Sequence, residues 1–430
     1  MATWDEDHWV SSIESGMPRR DRRSGLYRRY VPDALVTGPL LLPPDVDQLV
    51  ARAEQAVRGL AGDTDDLAGI ARFLLRSEAI ASSRIEGITP AVNQVALAEL
   101  GAQETVPDVT AQARLVANNM TVVHDARTVL VAAPAVTVNH LVELHQALLP
   151  DEPHHHGVRS VQNWIGGSDH HPIDADFVPP APERVPALLD DLVSYLNGAG
   201  HSPIVQAGLT HAQFETIHPF TDGNGRVGRA LIHTVLTRRR LTAEAVLPVS
   251  LVLSTLRNEY VAGLTAYRHS EPVGSTGFHT ARAAWLRVFA AAVITASEQA
   301  GRLAADLAEL RAEWDERLTE ARAKQGKVRG VRSDSATALI VRDLPATPVL
   351  TSATVQRIHR VSHVAAGRAL DELVAAKILE PHERRGQRYY QASDVLDLIT
   401  ITERRLASTK FDTRTSPPVR PVPARPGGRP

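Results

Sequence analysis

Apolar side chains recur along much of the chain with the period of an α-helix. Helical patterning begins near Asp45, and from Leu67 onward apolar residues at positions 70, 71 and 74 fall on one buried helical face. Further helices are predicted at about 107–131, 138–149, 183–198 and 203–217. Thr137 or Asn139 is expected to cap the helix at 138–149. The pattern indicates a mainly α protein.

Two segments interrupt this helical pattern. Residues 1 to about 45 carry scattered prolines and are expected to be irregular. Between 150 and 182, proline, glycine and histidine cluster around short extended pieces at Val158–Ile165 and near Phe177, with Gly166-Gly167 as the turn signal. We expect a small β-hairpin set into a helical domain, although patterning alone fits an unstructured loop equally well.

The C-terminal part has a different order of predicted elements. A helix at roughly 281–324 leads to residues 334–404, which are predicted as helix, helix, helix, strand pair and helix. The proline-rich tail from about 408 is expected to be disordered. The predicted regions are an N-terminal helical region (1–105), a catalytic core (106–300), a linking helix (301–333), a C-terminal domain (334–405) and a tail (406–430).

Composition narrows the class of protein. A chain of 430 residues favours two or three domains, and a net charge of -2 provides no global attraction to nucleic acid or membrane. The absence of cysteine excludes disulfides and thiolate zinc sites. The acidic N-terminus lacks a signal-peptide pattern, and no apolar run reaches the ~18 residues of a spanning helix. We therefore expect a cytoplasmic protein without membrane contact.

The strongest chemical signal is at residues 218–229, which read His-Pro-Phe-Thr-Asp-Gly-Asn-Gly-Arg-Val-Gly-Arg. Pro219 disfavours helix at His218, so the preceding helix should end there. The residues Gly223, Asn224 and Gly225 tolerate unusual backbone angles, and successive N–H groups in such a turn can converge on an anion. A new helix then begins, and its N-terminal dipole favours the same anion.

The charged residues of this segment complete a predicted polyphosphate cradle. Arg226 and Arg229 lie three apart on one helical face and add permanent positive charge. Asp222 would be repelled by phosphates unless a cation separates them, so Mg²⁺ is its expected partner. His218 is the natural general base for an incoming hydroxyl. Each feature alone is common in ordinary helix ends and turns, but their combination at one helix–loop–helix junction favours catalysis.

This string resembles the signature of Fic-domain proteins, the filamentation-induced-by-cAMP family. The resemblance implies a helical core in which His218 deprotonates the target hydroxyl and Asp222 binds Mg²⁺. It also implies that Gly223–Gly225 form the anion hole, and that Arg226 and Arg229 hold the phosphates of ATP. The phosphotransferase branch that resembles Doc toxins carries lysine at the position of Gly225, so the glycine favours AMP transfer.

A second motif resembles the inhibitory signature of the same family. Ser82, Glu86 and Gly87 fit that signature, although the segment also fits a plain helix end with a solvated glutamate. In the family this glutamate pairs with the second motif arginine, here Arg229, and blocks the γ-phosphate of ATP. Such a charge-assisted pair must break before ATP can use the arginine.

Two other sites follow from the resemblance. Val158–Gly167 and Phe177–Pro180 are similar to the hairpin flap that positions the target protein by strand addition. Asn258 and Tyr260 resemble residues that line the adenine site, with a buried helical tyrosine as an almost equal alternative. Histidines cluster at 154–156 and 170–171, but no carboxylate spacing on a helix supports a metal site there, so none is expected.

The pattern of residues 334–404 fits a winged helix-turn-helix domain with Arg384–Arg388 as the wing tip. The predicted recognition helix contains Asp371 and Glu372 and lacks a basic stripe. DNA binding is therefore expected less than protein docking or formation of a homodimer.

The sequence thus predicts a protein adenylyltransferase that uses Mg²⁺ and ATP. It would transfer AMP to a Ser, Thr or Tyr hydroxyl of a protein, including itself, and Glu86 would inhibit it. One alternative is removal of AMP by a water that Glu86 activates. The other is a DNA-binding regulator in which the Fic unit is a sensor.

Overall fold

The computed structural model describes residues 1–13, 15–35, 39–60, 70–101, 104, 106, 108–242, 246–327 and 329–408. It is mainly helical with small antiparallel sheets, as predicted. The chain divides into two compact units. Unit 1 comprises residues 1–58, 121–243 and 256–294, and unit 2 comprises residues 59–120, 244–255 and 295–430.

Unit 1 begins with a β-hairpin that the sequence analysis did not predict. Strands β1 (Thr3–Trp9) and β2 (Gly25–Val31) pair antiparallel from Thr3 opposite Val31 to Trp9 opposite Gly25. The expectation of an irregular N-terminus was wrong because prolines lie outside both strands. Aromatic residues stabilise the pairing across the sheet, with the rings of Trp4 and Tyr30 5.0 Å apart.

Except for the helix at Val92–Gly101, which was not predicted, the helices of the first 220 residues agree with the predicted periodicity. They are α1 (Pro44–Leu60), α2 (Ala71–Ile85), α3 (Val92–Gly101), α4 (Ala111–Ala132), α5 (Val138–Leu148), α6 (Val185–Asn197) and α7 (Pro203–Ile217). Of the two proposed caps, Thr137 is the one used: its hydroxyl accepts from the His140 N–H at 3.3 Å. The predicted start of the first buried face, Leu67, lies outside the described residues.

The core of unit 1 is built around α7 and α8 (Asn224–Arg238). Every residue of α7 is buried, which explains why it shows almost no polar face. Gly208 of α7 allows close approach of another helix, and the Trp285 indole N–H donates to the Gly208 carbonyl at 2.8 Å. The loop 218–223 therefore joins two buried helices and is held at both ends.

The other helices are α9 (Val249–Thr255), α10 (Arg257–Tyr267), α11 (Thr276–Lys324), α12 (Ala336–Asp343), α13 (Ser352–His359), α14 (His363–Ala375) and α15 (Ser393–Ser408). Helix α11 begins five residues before its predicted start and ends where predicted. Helix α15 extends past the predicted boundary at 405. The predicted disordered tail, from residue 409 onward, lies outside the described residues.

Unit 2 contains a three-stranded antiparallel sheet with the order β3 (Val349–Leu350), β5 (Gln387–Gln391), β4 (Glu380–Arg384). Strands β4 and β5 form the predicted hairpin, with Arg385 and Gly386 at positive φ in its turn. Helices α12 to α14 accompany this sheet in the predicted order, with β3 as an additional strand. Assignment of this part to the winged helix class stays a prediction.

Helix α3 shares a hydrophobic core with the C-terminal elements of unit 2. Leu97 and Leu100 lie in one buried cluster with Val349, Tyr389 and Leu396. The predicted boundaries at 105 and 334 do not anticipate this shared core, because periodicity gives the buried face of a helix but not its partner. Among the described residues, no helix combines the length and apolar character that crossing a bilayer requires.

Candidate active site

The loop begins at His218, which ends α7 in the left-handed backbone region. Its φ is 50° and its ψ is 60°, and its N–H still donates to the Phe214 carbonyl at 2.9 Å. Non-glycine residues adopt this conformation rarely and at an energetic cost. The helix therefore ends at the residue predicted from Pro219, and His218 is turned out of the helical path into the loop.

Asn224 closes the loop through its side-chain amide. Its Oδ1 accepts from the Phe220 N–H at 2.8 Å and its Nδ2 donates to the Phe220 carbonyl at 2.8 Å. The side chain is 2% exposed, so both bonds are shielded from water. Asn224 was predicted to bind nucleotide. Its side chain is used to close the loop. Its backbone N–H, at the first residue of α8, is the group that is suited to bind an anion.

Gly223 is the residue of the predicted glycine turn that adopts a left-handed conformation, with φ at 76°. Asn224 and Gly225 are already helical, because α8 begins at Asn224. The expected three-residue turn is therefore one residue long. A Cβ at Gly223 would lie 2.7 Å from Leu148 Cδ2, so space as well as backbone angle requires glycine.

Asp222 points its carboxylate toward the start of α8. Its Oδ1 accepts from the Gly223 N–H at 2.6 Å and its Oδ2 lies 3.4 Å from Arg226 Nη2. About half of the side chain is exposed. Mg²⁺ is usually held by one or two carboxylates together with substrate phosphates. The exposed Asp222 carboxylate beside a helix N-terminus fits that ligand set.

The two motif arginines are buried in α8, with Arg226 2% and Arg229 1% exposed. The charge of Arg229 affects the pKa of a neighbouring histidine. Burial, together with the positive charge of Arg229, lowers the pKa of His211 to about 3. The predicted phosphate-binding charges are therefore present at the N-terminal part of α8, where the helix dipole also favours an anion.

His145 contacts the loop at Phe220 and Asp222 and was not predicted as a site residue. Its imidazole stacks on Phe220 with ring centroids 4.0 Å apart, and its Nε2 lies 3.0 Å from the Asp222 carbonyl. Burial lowers the pKa of His145 to about 4, so the ring is neutral near pH 7. A neutral ring must carry its proton on Nε2 to donate to that carbonyl. Its only sequence signal was a histidine on the buried face of α5.

Arg159 connects the flap to the loop and was also missed as a site residue. It is 3% exposed, and its guanidinium donates to the carbonyls of His218 at 2.8 Å and Pro180 at 2.6 Å. It also donates to the carbonyls of Val161 at 3.1 Å and Ile217 at 3.4 Å. Burial lowers the pKa of Arg159 to about 10, which leaves it charged at neutral pH.

The predicted flap is present in reduced form. Ile165 and Phe177 form a single antiparallel bridge, with N–H to carbonyl distances of 2.8 and 3.2 Å. Gly166 and Gly167 turn the chain at positive φ, as predicted. The second arm pairs with the N-terminal hairpin, since the Tyr30 N–H donates to the Val178 carbonyl at 2.9 Å.

The part of the chain that contains this loop is similar to known proteins. Residues 135–236 match the model of the Fic/DOC family. The chain contains a Fic domain. This match includes α5, the flap, α7, the loop and most of α8.

The Fic domain has curated relatives of moderate identity. Protein adenylyltransferase fic-1 of Caenorhabditis briggsae is 33% identical over 134 residues, which is 30% of this chain and 24% of that protein. Its Caenorhabditis elegans counterpart is 32% identical over 134 residues, 30% of this chain and 23% of that protein. A probable protein adenylyltransferase of Aquifex aeolicus is 43% identical over 68 residues, 16% of this chain and 21% of that protein. The chain spans about a quarter of the length of these relatives.

Solved Fic structures are also similar. A Fic family protein from Desulfovibrio desulfuricans G20 has a TM-score of 0.49 at 22% identity and covers 82% of this chain and 97% of that chain. Fic-1 of Caenorhabditis elegans has a TM-score of 0.44 at 22% identity, and the match covers 60% of this chain and 73% of that chain.

The two residues predicted for the adenine site face different surroundings. Asn258 is exposed in the first turn of α10. Tyr260 is 3% exposed, and its hydroxyl lies 2.9 Å from His211 Nε2. The tyrosine thus has the buried position that the sequence left as the alternative. Participation of either residue in an adenine site stays a prediction.

The predicted inhibitory residues lie at the end of α2 in unit 2. Ser82 is buried, whereas Glu86 is exposed at the C-cap. Gly87 has φ at 79° and its N–H donates to the Arg84 carbonyl at 2.9 Å, so it ends the helix as predicted. Arg229 belongs to unit 1. Pairing of Glu86 with Arg229 stays a prediction.

Proposed function

We propose that the chain is a protein adenylyltransferase that transfers AMP from ATP to a protein hydroxyl. The observation that carries the proposal is the segment 218–229, which comprises the loop and the first residues of α8. It places an αL histidine, an exposed carboxylate and the arginine-bearing N-terminus of a buried helix within twelve consecutive residues. The names of the curated relatives support the same activity.

The reaction needs one proton acceptor and a site for developing negative charge. His218 takes the proton of the incoming hydroxyl while its oxygen attacks the α-phosphorus of ATP. The bond between that phosphorus and the bridging oxygen to the β-phosphate breaks, and pyrophosphate leaves. Arg226, Arg229 and the N–H groups at the start of α8 stabilise the phosphate charge.

Magnesium bound at Asp222 would neutralise phosphate charge. The chain's own contribution is to hold that carboxylate in place. Gly223 donates to one oxygen of Asp222, and His145 holds its carbonyl. The metal ligand is thus fixed at its carboxylate and at its carbonyl.

We further propose that Glu86 restrains the enzyme by pairing with Arg229. A carboxylate on that guanidinium would occupy the charge needed by the γ-phosphate, so ATP would bind in an unproductive position. The location of Glu86 at the exposed end of α2 supports a role outside the core of its own helix. In the alternative reaction, Glu86 would activate a water that removes AMP.

The flap supplies the proposed docking surface for the target. A segment that pairs with it as an added strand would be held by main-chain bonds, which positions a Ser, Thr or Tyr hydroxyl without reading its sequence. Arg159 supports this role because it joins the flap carbonyls to the His218 carbonyl. Movement of a docked segment would therefore be tied to the position of His218.

For the C-terminal part, we propose protein docking or homodimer contact in preference to DNA binding. The wing-tip residue Arg385 pairs with Asp108 at 2.6 Å. Charges engaged within the unit add little to an electrostatic footprint for phosphates.

Incubation with labelled ATP and magnesium tests the proposed activity. Wild type should label itself weakly, Glu86→Gly strongly, and Glu86→Gly combined with His218→Ala not at all. The expected loss on removing the base is roughly 10²–10⁴-fold. Equal labelling of Glu86→Gly with and without His218 would end the catalytic assignment. Intact-mass spectrometry of the labelled protein then identifies an AMP adduct.

A further inference from the structure

Glu152, His154 and His155 bring three metal-ligating side chains together beside the catalytic loop. One ligand atom of each lies within 4.8 Å of the others. The sequence analysis expected no metal among these histidines because it found no carboxylate at helical spacing. The structure supplies the carboxylate from Glu152, immediately before a short 3-10 turn at Pro153–His155. The three residues lie in and just before this short turn and not on an α-helix.

The turn itself fixes the three residues relative to one another. The His155 N–H donates to the Glu152 carbonyl at 3.0 Å, and the Glu152 N–H donates to the Leu149 carbonyl at 3.1 Å. Pro153 restricts the backbone between them. The imidazole centroids of His154 and His155 are 4.1 Å apart. Little rearrangement is needed to direct all three side chains at one ion.

His155 has the orientation that is characteristic of a metal ligand. Its Nδ1 lies 2.8 Å from Thr221 Oγ1, and its Nε2 lies 3.7 Å from Glu152 Oε2. When Nδ1–H donates to Thr221, the Nε2 lone pair is directed toward the carboxylate. Metal-bound histidines usually donate their second N–H to an oxygen in this way. Thr221 therefore fits the role of an outer partner.

We propose that Glu152, His154 and His155 form a site for a divalent transition-metal ion of the zinc type. Two imidazoles and one carboxylate with an open fourth position form a known zinc ligand set. His154 is exposed, whereas Glu152 and His155 are half-buried, so an ion can enter from solvent. Because Thr221 precedes the predicted magnesium ligand Asp222, an ion here is linked to the catalytic loop through one hydrogen bond.

Calorimetric titration with zinc tests the site, using tag-free full-length protein in excess magnesium. Asp222→Asn serves as the parent, so that the predicted magnesium site does not take up zinc. The parent should bind one equivalent more than the same protein with His154→Gln and His155→Gln. The matched control removes two histidines elsewhere, His124→Gln and His170→Gln, and should keep that equivalent. Equal zinc binding by the parent and the His154/His155 variant would overturn the proposal.

Thr221→Val in the same parent tests the link to the loop. Loss of an outer hydrogen bond to a ligand histidine weakens metal affinity by roughly 10–100-fold. We expect that loss in the zinc titration, and unchanged affinity would show that Thr221 takes no part. Both experiments measure zinc binding directly. They are therefore independent of whether the chain transfers AMP.

Discussion

The loop 218–224 and the flap 158–180 both depart from regular secondary structure, but the loop is closed by the side chain of one of its own residues, whereas the flap also bonds to distant segments. In the loop, Asn224 bonds Phe220, four residues away, and Gly223 bonds Asp222, the adjacent residue. In the flap, Arg159 reaches His218 and Val178 accepts from Tyr30. The turn of the loop is therefore closed by its own sequence, while the loop carbonyls also accept from the distant residues Arg159, Asn163 and His145.

This difference assigns the two regions different parts of the proposed reaction. A locally determined loop keeps catalytic groups in place whether or not a target is bound. A flap bonded to the loop can transmit docking to it, and Arg159 and Asn163 are side chains that join the two. The predictions below test this division, beginning with the largest expected effect.

Arg159→Met should be the most damaging substitution. It removes four guanidinium hydrogen bonds and leaves buried carbonyls without them, at a cost of roughly 3 kcal/mol in the free energy of unfolding. Because two of those carbonyls belong to Ile217 and to the proposed base His218, AMP transfer should fall as well. Urea unfolding and the labelling assay measure the two effects. The control Arg184→Met removes a more exposed arginine and should change stability by about 0.5 kcal/mol or less.

Matched glycine substitutions compare the loop and flap directly. Gly223→Ala combines positive φ with a Cβ contact of 2.7 Å to the buried Leu148, and should cost about 2 kcal/mol or more. At Gly166 the φ is 74°, but the Cβ would meet the flexible carboxylate end of Asp176. Gly166→Ala should therefore cost about 1–2 kcal/mol. A larger loss for Gly166→Ala, measured by thermal unfolding, would reverse the comparison.

His145→Phe tests the hydrogen bond between His145 and the Asp222 carbonyl. The substitution keeps an aromatic ring against Phe220 but removes the donor to the Asp222 carbonyl, which should cost roughly 1 kcal/mol at neutral pH. In the Glu86→Gly protein, in which the proposed inhibition is removed, His145→Phe should raise the magnesium concentration needed for half-maximal labelling. Unchanged stability together with unchanged magnesium dependence would remove His145 from the account of the site.

The depressed pKa of His145 predicts a small pH effect on stability. Its folded pKa of about 4 lies below the unfolded value near 6.5, so the unfolded chain binds more protons as the pH falls. Stability should therefore drop from about pH 7.5 to about pH 6, by roughly 0.8 kcal/mol from this residue. His145→Phe should show a shallower dependence of stability on pH than wild type in denaturant titrations, and an equal dependence would contradict this assignment.

Much of the loop could be predicted because its determinants are adjacent in sequence. Pro219 indicated the end of α7, and the glycine at 223 indicated a left-handed turn. The error was the length of that turn, since Asn224 enters α8 and uses its amide to close the loop. Sequence patterning gives the preference of each residue but not the partner of an amide side chain.

The flap and its surroundings were harder to predict for the same physical reason. Two isolated β-bridges give little alternation in sequence, and the partner of the second arm of the flap is a hairpin about 150 residues earlier. Arg159 and His145 act through main-chain carbonyls, which have no sequence signature of their own. The shared core of α3 and the C-terminal sheet likewise depends on contacts more than 200 residues apart.

Calorimetric titration of Mg-ATP into the Glu86→Gly protein tests the central claim most directly. The account predicts saturable uptake of one nucleotide, weakened strongly by Arg226→Met and by removal of magnesium. Absence of any uptake by the Glu86→Gly protein would contradict a triphosphate site at the start of α8.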